Sequence, residues 1–213
     1  LNAIKNAVIY NKVVPTITES WFNCSNLTDI KNIENIDTSN VTNMTCMFLN
    51  CSSITNLDLS NFDTSNVKKM TSMFNGCKKL TNLNVDNFDI SNVGKMNAMF
   101  SGCSSLTSLN LSSFKDNKVE MMNYIFAGCE NLTNLDLTNL KTNNATRMDA
   151  MFYNCKKLTN LDLKSFDTSN VTDMYRMFFN CTNLRSLNIS SFNTSNVYDM
   201  SDMFYGCQNL TSV

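Results

Sequence analysis

The chain contains no histidine, one proline, five glycines and one tryptophan among its 213 residues. Without histidine it lacks the side chain most used for acid–base chemistry near neutral pH, and it has no glycine-rich phosphate loop. We therefore predict that it is not an enzyme and that it has neither catalytic residues nor a cofactor. The scarcity of proline and glycine also leaves no flexible linker, so the sequence predicts no internal domain boundary.

Charge of one sign and long apolar runs are also missing. The 17 basic side chains nearly balance the 18 acidic ones, so there is no basic field to attract nucleic acid. No apolar run approaches the roughly 20 residues that cross a bilayer, and the first fifteen residues do not form a secretory signal. We expect no nucleic-acid partner and no membrane insertion by this fragment, with any export signal or anchor lying outside it.

A strict period organises the residues that are present. Eight of the nine cysteines recur with one gap of 27 residues followed by six gaps of 26: Cys24, Cys51, Cys77, Cys103, Cys129, Cys155, Cys181 and Cys207. Methionine pairs and a following phenylalanine recur with them. Such a period predicts a solenoid of stacked units, each too small to bury its own apolar face.

Each unit has two halves. The first reads LxxLxL, in which the alternation of Leu109 and Leu111 predicts a short strand, parallel to that of the next unit. The second reads VxxMxxMFxxC from Val67, a spacing that gathers the apolar residues on one face of a helix of about ten residues. The DTSN-like segment before it, such as 63–66, is expected to cap that helix.

Outside the repeats, residues 1–23 are predicted to form an N-terminal cap that carries Trp21 and apolar positions without the full pattern. Residues 24–213 form about seven repeats. The chain stops at Val213 inside the next LxxLxL, so we expect an array that is truncated there or that ends in an unprotected edge. The open end also favours self-association.

The unit FDTSNVxxMxxMFxxCxxLTxLxLS resembles the BspA-like leucine-rich-repeat surface proteins, in the variant found in mycoplasmas and Gram-positive bacteria. A phenylalanine column replaces the asparagine ladder common in such repeats: Phe62, Phe88, Phe114, Phe166 and Phe192. The resemblance implies an α/β solenoid, a curved leucine-rich-repeat array with short parallel strands on the concave side and short helices on the convex side. It also implies a bacterial cell-surface protein that binds host or matrix proteins.

Metal and disulfide sites are predicted to be absent. The acidic column Asp37, Asp63, Asp89 and Asp167 suits calcium, but turn aspartates ordinarily bond nearby backbone, and we favour that interpretation. Equivalent cysteines on packed helices would lie about 8 to 10 Å apart, beyond the roughly 7 Å limit for a bridge, so buried reduced thiols are expected. Cys46 lies off the column and is expected to be exposed.

Three surfaces are candidates for binding a partner. One is the outward column of the strands: Asp58, Asn84, Asn110, Asp136, Asp162 and Asn188. Another is a row of aromatic residues expected on the exposed side of the helices, formed by Tyr153, Phe179 and Tyr205 with Tyr198 nearby. The third is a basic interruption formed by Lys115, Lys118 and Lys141. For each, an ordinary solvated or seam-covering role remains an alternative.

The leading hypothesis for function is a surface module for adhesion or protein binding, located on the outside of a bacterial cell. The alternative is a structural spacer that projects another domain from the cell. A less favoured alternative is binding to ice or another crystal, suggested by a threonine column that includes Thr55, Thr81 and Thr107 and that Arg185 interrupts.

Overall fold

A computed structural model describes residues 3–115 and 117–213 of the chain. The strands are β1 (Asn6–Val8), β2 (Asp29–Lys31), β3 (Asn56–Asp58), β4 (Asn82–Asn84), β5 (Asn160–Asp162) and β6 (Ser186–Asn188). They pair as β1 with β2, β3 with β4 and β5 with β6, in parallel and in register. One 3-10 helix, η1 (Ile33–Asn35), follows β2.

Strands β3 to β6 lie where the LxL alternation predicts them, but the strand predicted from Leu109 and Leu111 does not form. Leu57 and Leu161 point inward and pair with Leu83 and Leu187 one repeat on, while their polar neighbours face outward. Although both segments are described, no strand forms at the equivalent positions 108–110 and 134–136. The strand side of the solenoid is therefore an interrupted sheet.

The prediction of helices on the other side is wrong, because η1 is the only helix in the described chain. Turns replace them: the Met47 amide donates to the Met44 carbonyl three residues back (3.2 Å), and the second of the two residues between them, Cys46, has a φ of 57°. Intervening amides reach the next repeat, as where Phe48 N–H donates to the Met73 carbonyl (2.8 Å). A helix cannot continue through such a turn, because one residue of the turn has a left-handed φ and because some of its amides already donate to the next repeat.

We call this side the turn ladder. Its seven turn segments are residues 43–51, 69–77, 95–103, 121–129, 147–155, 173–181 and 199–207, and isolated parallel bridges such as Lys69 to Lys95 join their first residues. Two positions of each segment have positive φ, the second usually filled by Gly or Asn: Asn50, Gly76, Gly102, Gly128, Asn154, Asn180 and Gly206. Hydrogen bonds along the solenoid, more than local helix formation, therefore hold this side.

The core is a set of columns that run the length of the array. The inward methionines and most cysteines are buried, as are Phe62, Phe88, Phe114 and Phe166, which confirms the predicted inward columns. A second column of phenylalanines, from Phe22 to Phe204, stacks ring on ring with centroids 5.4 to 5.9 Å apart and planes inclined by 1 to 18°. The repeats are thus one β-ladder spacing apart, about 4.8 Å, with little twist.

The DTSN segments do not cap helices. The Asp37 carboxylate instead accepts the amide (3.1 Å) and hydroxyl (2.7 Å) of Ser39, closing a local turn. The threonine of each exact DTSN copy is buried: Thr38, Thr64 and Thr168. Thr64 donates to the Asp89 carbonyl (2.9 Å) and accepts the Asp89 amide (2.8 Å). These segments therefore join neighbouring repeats.

An asparagine ladder is present after all, at a position the sequence pattern did not suggest. Side-chain amides donate to carbonyls of the preceding repeat, as from Asn66 to Ser39 (2.9 Å) and from Asn92 to Ser65 (2.8 Å). This asparagine ladder is formed by the last residue of each DTSN segment. The position where leucine-rich repeats usually carry the ladder is occupied by the phenylalanine column.

The N-terminal segment joins the same stack. Besides the pairing of β1, Ile17 bridges Asn43 and the Phe22 amide donates to the Met47 carbonyl (2.8 Å). Trp21 is 40% exposed beside it. Residues 1 and 2 of the predicted cap lie outside the described residues.

Candidate partner-binding site

The outward column of the strand side is mostly occupied with local bonding. The Asp58 carboxylate accepts the Ser60 amide (3.1 Å), and Asp136 accepts both the amide (3.0 Å) and hydroxyl (2.8 Å) of Thr138. The same bond to the amide two residues on is made throughout the column, by Asn84, Asn110, Asp162 and Asn188. In each residue of the column, the side-chain Oδ1 atom is therefore the acceptor that closes the local turn.

One lysine of the basic interruption lies beside two carboxylates. Lys115, Lys118 and Lys141 are exposed, but Lys115 lines a shallow groove of about 520 Å³ together with Asp86 and Asp89. That groove is electrically mixed, and neither of the other two lysines lines it.

The structure brings the aromatic row together. The rings of Tyr153 and Phe179 stack at 5.0 Å with an interplanar angle of 11°, and those of Phe179 and Tyr205 at 5.0 Å and 16°. Tyr153 and Phe179 are half-buried and Tyr205 is 64% exposed. Because the faces are used against each other, the row presents ring edges and two hydroxyls to solvent on the turn ladder.

An arginine that sequence reasoning missed fixes this row. The Arg176 guanidinium lies 4.7 Å from the ring centre of Tyr175 and 4.9 Å from that of Phe179. It also pairs with Asp202 of the next repeat at 3.0 Å, and this bond is the main cause that raises the pKa of Arg176. The ion pair and the rings hold the guanidinium in one place.

A second cluster lies at the adjacent column. Arg147 binds Asp149 and Asp173 at 2.8 Å each, and Tyr198, which is 74% exposed, has its hydroxyl 3.3 Å from Asp173. Burial raises the pKa of Asp149 despite its arginine partner, and the charge of Asp173 raises the pKa of Tyr198. The sequence contains one signal for this cluster of aromatic residues in the later repeats. Five of the six tyrosines, those from Tyr124 onward, lie beyond residue 120.

The turn aspartates have local partners. The pKa of Asp37 is lowered to about 2, first by its bond to Lys12 and then by those to Ser39. No group of three His, Cys, Asp or Glu side chains within residues 3–115 and 117–213 could hold a metal ion.

All nine cysteines are free thiols, but the distance argument for this was wrong. Repeats one ladder spacing apart bring equivalent residues to about 4.8 Å, inside the range of a bridge. The inward thiols instead donate to carbonyls of the preceding repeat, as from Cys77 to Phe48 (3.1 Å). Cys46 is half-buried, not exposed, and burial raises its pKa.

Comparisons with known proteins agree with this architecture. The profile of the family described as "Mycoplasma protein of unknown function, DUF285" matches residues 16–135 and 121–212. No curated protein matches. Among solved structures, a T. pallidum leucine-rich-repeat protein is 19% identical over 78% of this chain and 70% of its own, with a TM-score of 0.51. A leucine-rich-repeat protein from Bacteroides ovatus is 18% identical over 99% and 66% (TM-score 0.36), and a leucine-rich cell surface protein from Faecalibacterium prausnitzii is 15% identical over 99% and 75% (TM-score 0.32). Within the described residues, no helix is long and apolar enough to cross a membrane.

Proposed function

The chain belongs to the Mycoplasma DUF285 family of BspA-like leucine-rich repeats, and on that premise we propose that it is an extracellular protein-binding module of a bacterial cell surface. Its contact surface is the aromatic part of the turn ladder, which we call the aromatic surface: Tyr153, Tyr175, Arg176, Phe179, Tyr198 and Tyr205. Leucine-rich-repeat proteins generally act by binding other proteins and not by catalysis, and adhesion is the finer role that we propose for this one.

The observation that carries the proposal is the stacked, partly exposed row with Arg176 held over Phe179. Tyrosine and arginine dominate the energetics of protein interfaces because each offers a large contact area together with polar atoms. Rigid rings also lose little conformational freedom on binding. Since Arg176 is already fixed by Asp202, a partner meets a preformed surface.

The test is direct binding of the chain to a panel of extracellular-matrix and serum proteins, measured by biolayer interferometry. A variant with Tyr153, Phe179 and Tyr205 all changed to Ala is compared with a control with Asn84, Asn110 and Asn188 changed to Ser, on the strand side. Saturable binding that the aromatic variant loses and the control keeps supports the proposal, provided that circular dichroism shows both folded. Binding lost only in the strand-side control would move the site to the strands.

The spacer alternative predicts no ligand on the panel for either protein, so the same experiment decides between the two functions. Ice binding has less support in the contacts. The hydroxyls of the threonine column bond within the protein, as from Thr81 to the Thr55 carbonyl (3.0 Å) and from Thr133 to the Thr107 carbonyl (3.2 Å). A thermal-hysteresis assay without activity removes that alternative.

A further inference from the structure

The outward side of the turn ladder, which we call the turn face, differs strongly between its two ends. Residues 68–77 and 94–103 carry three lysines, Lys68, Lys69 and Lys95, and no acidic side chain. Residues 172–181 and 198–207 carry three aspartates and one arginine. All three lysines are exposed, and none pairs with a carboxylate among the described residues. Asp173 is buried against Arg147, and Asp202 pairs with Arg176. Among the described residues, Asp199 is the carboxylate of this end without an ion-pair partner. The turn face is therefore basic towards one end and weakly acidic towards the other.

Side-chain size is divided in the same way. The residue after the core phenylalanine of each turn segment is small in the second, third and fourth segments: Asn75, Ser101 and Ala127. It is aromatic in the fifth, sixth and seventh: Tyr153, Phe179 and Tyr205. The small side chains leave a shallow trough along the column, and the rings leave a ridge that continues it.

The turn segments of this face are stacked in a fixed register. Neighbouring core rings behind it are inclined by 18° at most. Six segments at about 4.8 Å each extend over about 29 Å. Backbone bonds along the ladder, such as Gly102 N–H to the Ala127 carbonyl (2.7 Å), keep the segments in fixed register.

We propose that the partner of the aromatic surface is a second copy of this chain, docked turn face to turn face with the two solenoids antiparallel. The twofold axis lies in the contact plane, across the repeats and between the fourth and fifth turn segments. Each column then meets the same column of the partner in reverse order, so the second segment faces the seventh, the third the sixth and the fourth the fifth. This inference rests on the proposed binding role of the aromatic surface and names its occupant.

Charge complementarity supports this arrangement. The docking sets Lys69 against Asp199, twice because of the symmetry. Lys95 instead faces the buried Asp173, which pairs with Arg147. Lys68 lies opposite Tyr198, where an ammonium can rest on an exposed ring. A parallel docking would instead bring the two basic ends of the turn face together, which like charges oppose.

Shape complementarity supports the same register independently. Each ring of the ridge meets a small residue of the trough: Tyr205 with Asn75, Phe179 with Ser101 and Tyr153 with Ala127. In the neighbouring column the half-buried Arg176 meets Ala98, which is also half-buried. A shift by one repeat in either direction would bring a ring of one copy against a ring of the other, or leave a lysine without its aspartate.

The test is sedimentation velocity of the purified chain over a concentration series, with Lys69→Glu, Asp199→Lys and the double variant. Each single change places two like-charged pairs in the dimer and is expected to weaken it about tenfold or more. The double variant restores both pairs and should dimerise like the unmodified chain. An equimolar mixture of the two single variants should also dimerise, because each mixed pair is then attractive. Lys115→Glu makes the same charge change away from the turn face and should have no effect.

A steric variant checks the contact without changing charge. Ser101→Trp fills the trough opposite Phe179 and should abolish the dimer while the chain stays folded, since Ser101 is only half-buried. A chain that stays monomeric at all concentrations overturns the inference, as does a dimer that both single reversals leave intact. If the chain is monomeric but loses a panel ligand in the aromatic triple variant, this inference fails and the proposed function stands. If the chain dimerises but binds no protein of the panel, this inference stands and the proposal of a host protein as partner fails.

Discussion

Two glycines eight residues apart should respond in opposite directions to the same substitution. Gly102 has a φ of +70°, and a Cβ added there would meet Gly76 backbone atoms at 3.5 Å, an ordinary contact. A side chain in the left-handed region costs about 1 to 2 kcal/mol, and the restricted unfolded chain returns about 0.4 to 1 kcal/mol. We therefore expect Gly102→Ala to destabilise the fold by about 0.8 kcal/mol, from the backbone alone.

Gly94 has neither positive φ nor any atom within 4 Å of an added Cβ. Gly94→Ala should accordingly stabilise the chain by about 0.4 to 1 kcal/mol. For a chain of this length 1 kcal/mol shifts the Tm by about 2 to 4 °C, so calorimetry should show one Tm falling and the other rising. A helix over this segment would make both variants more stable by about 1 kcal/mol, and that result would refute the turn ladder.

A rescue variant separates backbone strain from packing. Asparagine tolerates the left-handed region better than alanine, and Asn50 already holds that position above Gly76. Gly102→Asn should therefore cost less than Gly102→Ala although its side chain is larger. The opposite order would show that space, not φ, decides the position.

Three further outcomes follow from the contacts. Thr64→Val should lower the free energy of unfolding by about 1 to 3 kcal/mol in urea titration, because it removes both hydrogen bonds to the Asp89 backbone, each worth about 0.5 to 1.5 kcal/mol; an unchanged midpoint would show that those bonds contribute little. Ellman's reagent should label Cys46 in the native chain and Cys103 only after unfolding, since Cys103 is fully buried with its pKa raised; native labelling of Cys103 would contradict this core. The pKa of Asp37 is lower in the folded chain, so its stabilisation is complete above about pH 4 and is lost as the pH falls towards about 2; Asp37→Asn should flatten that part of the Tm profile.

Period and alternation were sufficient to predict the solenoid, the inward columns and the positions of β3 to β6, but not the missing strands at 108–110 and 134–136. Because of the 26-residue period, the residues of the Phe88 column share the same surroundings in every repeat, and so do those of the Met96 column. This holds whether the backbone forms a helix or a series of turns. The spacing 0, 3, 6, 7, 10 from Val67 could not distinguish a helix from consecutive four-residue turns, since both return side chains to one face every three or four residues. The distinguishing signal was the Gly or Asn at Gly76, Gly102 and Asn50, which lies inside the supposed helix instead of after it.

The aromatic row was predicted from its column, but its fixing by Arg176 was not. That arginine contacts Asp202, which is 26 residues away in sequence and one ladder spacing away in space. A prediction based on helices packed 8 to 10 Å apart had no reason to join those two side chains. The same error of spacing undermined the argument about disulfides, although the thiols are free.

The hydrogen bonds of the turn ladder also determine how the chain yields to force. They run along the solenoid axis, and each repeat contacts only its two neighbours, so the interfaces carry tension in series and the repeats can detach one after another. Each repeat that detaches frees its 26 residues, about 90 Å of extended chain, in place of about 5 Å of stacked length. A molecule of this kind would therefore lengthen in steps under load before its contact surface separates from a partner.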